Sequence, residues 1–299
     1  MNWITNEECL SQGNLLARLK RPGSLYTVEL RPPPRGLGQV EAITSWIDLN
    51  HSIKALVGND IFVFFTDDAV GSSEEENLAH ISSNLGVDTS ASRIVPILTC
   101  NHTLEHTVMY VDRLKTQGFE ALTVLGGDYS PDSNRCFPHG YMLRQEIRMR
   151  HPDIILGGWM NPHREANQQV GYLGAKEFCA DYYLTQVVSH HSLDKVESFL
   201  EECGRQGVET PGVFGVFYYW GADSKTLESL NQFFPVPIDQ LKKEFGEGMS
   251  PEAILARTIS SLKSLGIEKF YLSNLGKRRV NHRFQKAKAE IEMLEEGWG

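Results

Sequence analysis

Eight short runs of β-branched, aromatic and aliphatic residues recur along the chain, and most are followed by a longer stretch with helical character. They are YTVEL (26–30), IFVFF (61–65), RIVPIL (93–98), ALTVL (121–125), DIILG (153–157), YYLTQVV (182–188), VFGVFYY (213–219) and KFYLS (269–273). Most are apolar at both odd and even positions, which suits strands covered on both faces. Between them, residues 74–86 place Leu78, Ile81 and Leu85 on one helical face, and residues 104–118 repeat that periodicity, each closed by a glycine. Further helices are expected over 164–178, 193–207, 250–266 and 282–296, with Ser250 and Pro251 as an N-cap and first helical residue.

Strand and helix in repeated alternation is the arithmetic of an α/β fold of the (β/α)8 TIM barrel class. An open doubly wound sheet is the competing architecture, but no GxGxxG opens a helix after the first run. No composition break divides the chain. A single barrel domain over 1–299 is therefore expected, with an N-terminal extension at about 1–22 and a helical loop insertion at about 223–249.

Composition narrows the partners. With 29 Lys and Arg against 38 Asp and Glu, the formal charge of -9 argues against a nucleic-acid footprint, which needs a dense basic patch. The five cysteines are scattered and odd in number, so neither a disulfide framework nor a zinc knuckle is indicated. No stretch reaches the roughly 18 apolar residues of a membrane span, and the first residues carry acids where a signal peptide has bases. The expectation is a reduced, cytoplasmic chain with no membrane partner.

In a parallel barrel the functional face is built at the C-terminal ends of the strands. Glu29 ends the first run, and three prolines then stop the strand and turn the chain across the rim. Thr66, Asp67 and Asp68 follow the second run; Thr99, Cys100, Asn101 and His102 the third; Gly126, Gly127 and Asp128 the fourth; Asn161 and His163 the fifth. Gln186 lies in the sixth, Tyr218, Tyr219 and Trp220 close the seventh, and Ser273 with Asn274 ends the eighth. Together they would line a polar, aromatic-edged pocket suited to a flat heterocycle.

Each residue also has a plainer role open to it. Glu29 could pair with Arg31 or Arg35, Asp128 could close a turn, and Asp67 and Asp68 could be helix N-terminal charges. His102 and His106 lack the central Glu of an HExxH site and His190 and His191 are adjacent, so no metal is expected. No G-x-S-x-G elbow is present. Lys277, Arg278 and Arg279, after the eighth run, could hold an anionic tail or be a solvated face.

At these strand ends the sequence resembles the methylenetetrahydrofolate reductase family, from about Tyr26 to Asn281. VELRPPP, LTC (98–100), LGGD (125–128), HREA (163–166) and Thr185-Gln186 are similar to family motifs in the same order. The resemblance implies a barrel that reduces 5,10-methylenetetrahydrofolate to 5-methyltetrahydrofolate. It implies Glu29 and Asp128 as catalytic groups, Glu29 giving a proton to the nitrogen released when the one-carbon bridge opens. Gln186 and Tyr218 would contact the pterin, and Lys277, Arg278 and Arg279 the glutamate or polyglutamate tail. Thr66, Thr99, Asn161, His163 and Trp220 would face a cofactor. NADH or NADPH is the expected hydride donor, and a homo-oligomer is compatible with the family.

The departures fall on the flavin side. Ile97 stands where flavin-binding members have a His, Gly126 where an Arg is common, and Thr66-Asp67-Asp68-Ala69 where they have Thr-Tyr-Gly-Ala; a family Lys falls near Ala175, one step from Lys176. Two acids there would oppose a pyrophosphate, which weakens the case for FAD and favours direct hydride transfer from the nicotinamide. A tetrahydrofolate-dependent methyltransferase, and a non-enzymatic folate-binding or partner subunit, are the alternatives.

Overall fold

Eight parallel strands close into a barrel in sequence order: β1 (Leu25–Leu30), β2 (Val63–Phe65), β3 (Ile94–Thr99), β4 (Ala121–Leu125), β5 (Ile155–Met160), β6 (Tyr182–Thr185), β7 (Gly212–Phe217) and β8 (Lys269–Ser273). The ring is completed by β1 pairing with β8, Leu25 opposite Lys269 through Val28 opposite Leu272, so the sheet is closed rather than open and doubly wound. The structure, a computed structural model, describes residues 13–67, 81, 89–128 and 135–296. Cys9, Asp68, Ala69, Leu78 and Leu85 lie outside the described residues; Ile81, from the same expected helix, is helical and buried.

The described helices are α1 (Leu15–Lys20), α2 (Gln39–Gly58), α3 (Leu104–Thr116), α4 (Gly140–Arg150), α5 (Ala166–Gly174), α6 (Leu193–Gln206), α7 (Ser224–Leu230), α8 (Ile238–Gly246), α9 (Pro251–Ser264) and α10 (Val280–Glu296). Ser250 caps α9 as its residue type suggests, its hydroxyl accepting from Ala253 N–H with Pro251 at the first turn. Helices α7 and α8 make up the insertion between β7 and α9. No helix among the described residues is long and apolar enough to cross a membrane.

Two helices escape the periodicity for a physical reason. In α2 the outward Val40, Ile43 and Ile47 are exposed and blur the contrast with the buried Trp46, Leu49 and Ile53. In α4 the inward stripe carries Arg144, a buried guanidinium that donates to the Val124 carbonyl at 2.9 Å and the Phe178 carbonyl at 2.7 Å. An arginine on a core-facing stripe reads as polar surface in the sequence.

Two apolar layers follow from the pleat. Val28, Leu30, Val63, Phe65, Leu122 and Val124 belong to the cluster between barrel and helices, while Leu25, Phe64, Val95, Ile97, Ala121, Tyr182, Leu184 and Tyr271 fill the barrel interior. Leu15 and Leu19 of α1 join the interior cluster beside Leu25 at the N-terminal end of the barrel. Glycines make room for the large rings: a Cβ on Gly157 would lie 2.4 Å from the Tyr182 ring, and one on Gly215 2.4 Å from the Tyr271 ring.

Candidate active site at the C-terminal mouth

Strand parity decides which side chains reach the mouth. Side chains alternate between faces, so Glu29 points the same way as the interior Leu25 and Thr27, four and two residues before it. The same step brings Thr66, Thr99, Leu125, Trp159, Phe217 and Ser273 to the top of the other strands. They surround a cavity of about 400 Å³, floored by Ile97 and Tyr271 and lined also by Asp67, Gly126, Gly127, Asp128, Gln186 and Val187. Phe233 and Phe234 from the insertion complete its wall.

Glu29 is a half-buried acid of this cavity. Burial pushes its carboxyl above the usual carboxylate value, while a 2.6 Å hydrogen bond from Ser273 Oγ and the charge of Arg31 pull the other way without reversing the shift. Arg31 acts on the carboxyl through its charge, whereas Ser273 donates a hydrogen bond to it. A carboxyl held toward its neutral form can donate a proton to a ligand nitrogen.

Asp67 is committed to the adjacent loop. Its Oδ2 accepts from Thr99 N–H at 2.9 Å and Thr99 Oγ1 at 2.9 Å and lies 2.7 Å from His102 Nε2. That network braces the end of β2 against the end of β3, leaving Thr66 and Thr99 buried in the cavity wall.

The loop after β4 is held by backbone geometry and one arginine. Gly127 has a left-handed φ of +74°, and a Cβ there would lie 2.7 Å from Asn101 Nδ2. Arg135 donates to the Gly126 carbonyl at 2.8 Å and to Asn101 Oδ1 at 3.2 Å, and Asn101 Nδ2 donates to the Asp128 carbonyl at 3.1 Å. The Asp128 side chain is left exposed at the cavity rim.

Gln186 sits one residue past β6 rather than inside a longer strand, because its Oε1 turns back to accept from Val187 N–H at 2.9 Å. Of the sequence candidates, the cavity thus gathers Glu29, Asp128, Gln186, Thr66 and Thr99. A smaller groove of about 290 Å³ also borders Glu29, lined by Arg31, Pro32, Pro34, Leu275 and Lys277 among others.

The remaining candidates lie elsewhere. Tyr218 is buried with its hydroxyl donating to Glu252 Oε1 at 3.0 Å, and burial and that carboxylate push its phenol up to about 12. Trp220 packs outside the cavity, its Nε1 donating to the Asn274 carbonyl at 3.0 Å and its ring 4.4 Å from the Arg283 guanidinium. Asn161 Oδ1 accepts from His163 N–H, and His163 Nε2 lies 2.8 Å from the Val187 carbonyl, in a separate cleft. Arg278 pairs with Asp48, and Arg279 is exposed with φ at 53°. Trp159, Phe217, Phe233 and Phe234 are lining residues with no motif to mark them. Parity could have found the first two; the aromatics of the insertion reach the mouth only through its tertiary path.

No family model matches the chain, and no curated protein matches its sequence. Among solved structures, an uncharacterized protein from Clostridium thermocellum that binds two copies of 5-methyl-5,6,7,8-tetrahydrofolic acid superposes with a TM-score of 0.63 at 19% identity, covering 94% of this chain and 99% of that one. The Bacillus cereus spore cortex-lytic enzyme SleL superposes at a TM-score of 0.49 and 11% identity, over 91% of this chain and 75% of that one. At 19% identity the likeness to the Clostridium thermocellum protein is one of fold alone, and the (β/α)8 barrel hosts many unrelated chemistries.

Proposed function

We propose that the protein binds a reduced folate at the C-terminal mouth of the barrel, with the pterin in the cavity and Glu29 placed to give a proton to a folate nitrogen. The observation that carries this is a carboxyl biased toward its neutral form inside an aromatic-walled cavity that also presents Asp128 and Gln186. The carboxylate of Asp128 suits the paired N–H donors of an aminopyrimidinone, and Gln186 can complement the neighbouring polar edge. Trp159 and Phe217 supply apolar faces for the ring. A volume of about 400 Å³ is at the lower end of the ~300–1,000 Å³ range of ligand pockets and fits one bicyclic ring as resident ligand. Arg31 and Lys277 flank the groove beyond Glu29, a path for the anionic glutamate tail. The folate ligands of the Clostridium thermocellum barrel and the strand-end resemblance support the same choice.

Proton donation by Glu29 favours a second, more specific reading: reduction of 5,10-methylenetetrahydrofolate by NADH or NADPH. As the one-carbon bridge opens, one nitrogen takes the Glu29 proton and the resulting iminium carbon takes a hydride from the nicotinamide. With Asp67 tied to Thr99 and His102 on the side where the family loop would meet a flavin, direct transfer is preferred to an FAD intermediary.

Equilibrium titration with 5-methyltetrahydrofolate, followed by tryptophan fluorescence, tests the binding step. Saturable binding that weakens in Asp128→Ala supports the proposal; no binding overturns it. NADH or NADPH oxidation with and without methylenetetrahydrofolate then tests reduction. Binding without nicotinamide oxidation removes the reductase reading and leaves methyl transfer or folate carriage.

A further inference from the structure

Away from the folate cavity, three metal-ligating side chains converge where the insertion meets the loop between β6 and α6. His190 and His191 come from that loop and Glu244 from α8, and one ligand atom from each lies within 4.8 Å of the others. His190 Nε2 is 2.8 Å from Glu244 Oε1, and His191 Nε2 is 3.4 Å from Glu244 Oε2. Arg257 Nη1 donates to Glu244 Oε1 at 3.0 Å, and His190 Nδ1 is 2.8 Å from Thr258 Oγ1.

Two details point to a ligand. Glu244 is 5% exposed, yet its Oε2 and the His191 Nε2 facing it are both buried without a hydrogen-bond partner. Buried polar atoms of native proteins are nearly always satisfied, so a facing pair of orphans calls for a third group. The second detail is convergence. His190 Nε2 and His191 Nε2 approach the two oxygens of one buried carboxylate, at 2.8 Å and 3.4 Å, while His190 Nδ1 is held 2.8 Å from Thr258 Oγ1, so both imidazoles turn the same ring edge toward Glu244. A divalent ion between them would serve both nitrogen–oxygen contacts at once.

We propose that His190, His191 and Glu244 form a site for a divalent transition-metal ion of the zinc type. Two imidazoles and one carboxylate are a borderline donor set that zinc and cobalt accept. With zinc–nitrogen and zinc–oxygen bonds of about 2.0–2.2 Å at tetrahedral angles, ligand atoms fall about 3.4 Å apart, close to the present His191–Glu244 separation. The Thr258 contact is the outer-shell hydrogen bond that orients a ligating histidine. His191 also lines an open cleft with His163, Ser189 and Pro237, so solvent reaches the site from that side. Short spacing rules could not reveal the site, because Glu244 lies 54 residues from His190.

The ion would staple α8 to the barrel and so steady the segment that brings Phe233 and Phe234 to the cavity, but its existence does not depend on the folate reading. Arg257 distinguishes a metal site from a plain ion-pair cluster. Its cation shares the carboxylate that would hold the metal, so Arg257→Gln should tighten metal binding, whereas removal of a partner only loosens an ion-pair cluster.

The test uses the full chain after chelation and dialysis, titrated with Co²⁺ and then Zn²⁺. Expected are intense visible d–d bands of a low-coordinate Co²⁺ site saturating at one ion per chain, and bleaching of those bands by Zn²⁺. His191→Ala and Glu244→Gln should each weaken binding by more than the about 10–100-fold typical of outer-shell changes, and Arg257→Gln should strengthen it. Should a ligand variant fail to fold, ¹⁵N imidazole shifts of His190 and His191 in the wild-type chain decide on addition of Zn²⁺. A Co²⁺ spectrum like that of the aqua ion, affinity unchanged in folded ligand variants, or static imidazole shifts would each overturn the proposal.

Discussion

Ser273 Oγ donates a 2.6 Å hydrogen bond to Glu29 Oε1 across the seam where β8 meets β1. This contact opposes the effect of burial on the acid, since a donor to the carboxylate favours its charged form. Ser273→Ala should therefore raise the pKa of Glu29 further. Titration of the Glu29 carboxyl by ¹³C NMR in both proteins checks the sign, and a downward shift would break the assignment of Ser273 as donor.

Glu29→Gln should leave folate affinity within a few-fold and lower any folate-dependent turnover by about 10²-fold or more, the usual scale for losing a general acid. It also carries a stability signature. Because burial raises the carboxyl above its ordinary 4.5, the folded chain holds this proton more tightly than the unfolded chain. That stabilising contribution is full below pH 4.5 and is lost as the pH rises through the folded-state value. The Gln variant has no charge to bury, so it should gain on the wild type as pH rises. Paired thermal melts from pH 4.5 upward measure the gap, and a constant or shrinking gap counts against a raised carboxyl.

What the sequence could and could not reveal follows from the distance over which each signal acts. The strands β4 and β8 coincide with their apolar runs, and Glu29 shares the parity of Leu25 and Thr27, so the closed barrel and its acid are legible from local pattern. The strand β5 runs on to Met160, through Gly157 and Gly158, which look like a turn. Their missing side chains are filled by the Tyr182 and Phe178 rings, a complementarity no local pattern carries. Tyr218 and Trp220 sit at a strand end as expected but turn toward Glu252 and Arg283. Which way a rim aromatic faces is decided by partners far along the chain.

Phe233 offers a separable test of the insertion as part of the pocket. It lines the cavity yet remains 41% exposed, so it contributes little to the core. Phe233→Ala should weaken folate binding by about tenfold, the scale of partly burying one aromatic side chain against a ligand. Folding stability should change by less than ~0.5 kcal/mol. Fluorescence titration and chemical denaturation of the same preparation read the two quantities, and unchanged affinity would place the ligand away from the insertion.

Gly127 tests whether the loop after β4 is what positions Asp128. Its φ of +74° is strained for a residue with a Cβ, and that atom would sit 2.7 Å from Asn101 Nδ2 and 2.9 Å from Thr99 Cβ. Asn101 cannot yield freely, because Arg135 holds its Oδ1 while its Nδ2 holds the Asp128 carbonyl. Gly127→Ala should therefore cost about 1–3 kcal/mol of stability and displace Asp128, so melting temperature and folate affinity fall together. Asp128→Asn, which removes charge from an exposed side chain and leaves the backbone contacts in place, should lower affinity while the melting temperature stays near that of the wild type. The two variants thus separate the carboxylate from its support. Wild-type folate affinity in a folded Gly127→Ala protein would show that the ligand does not rest on this loop.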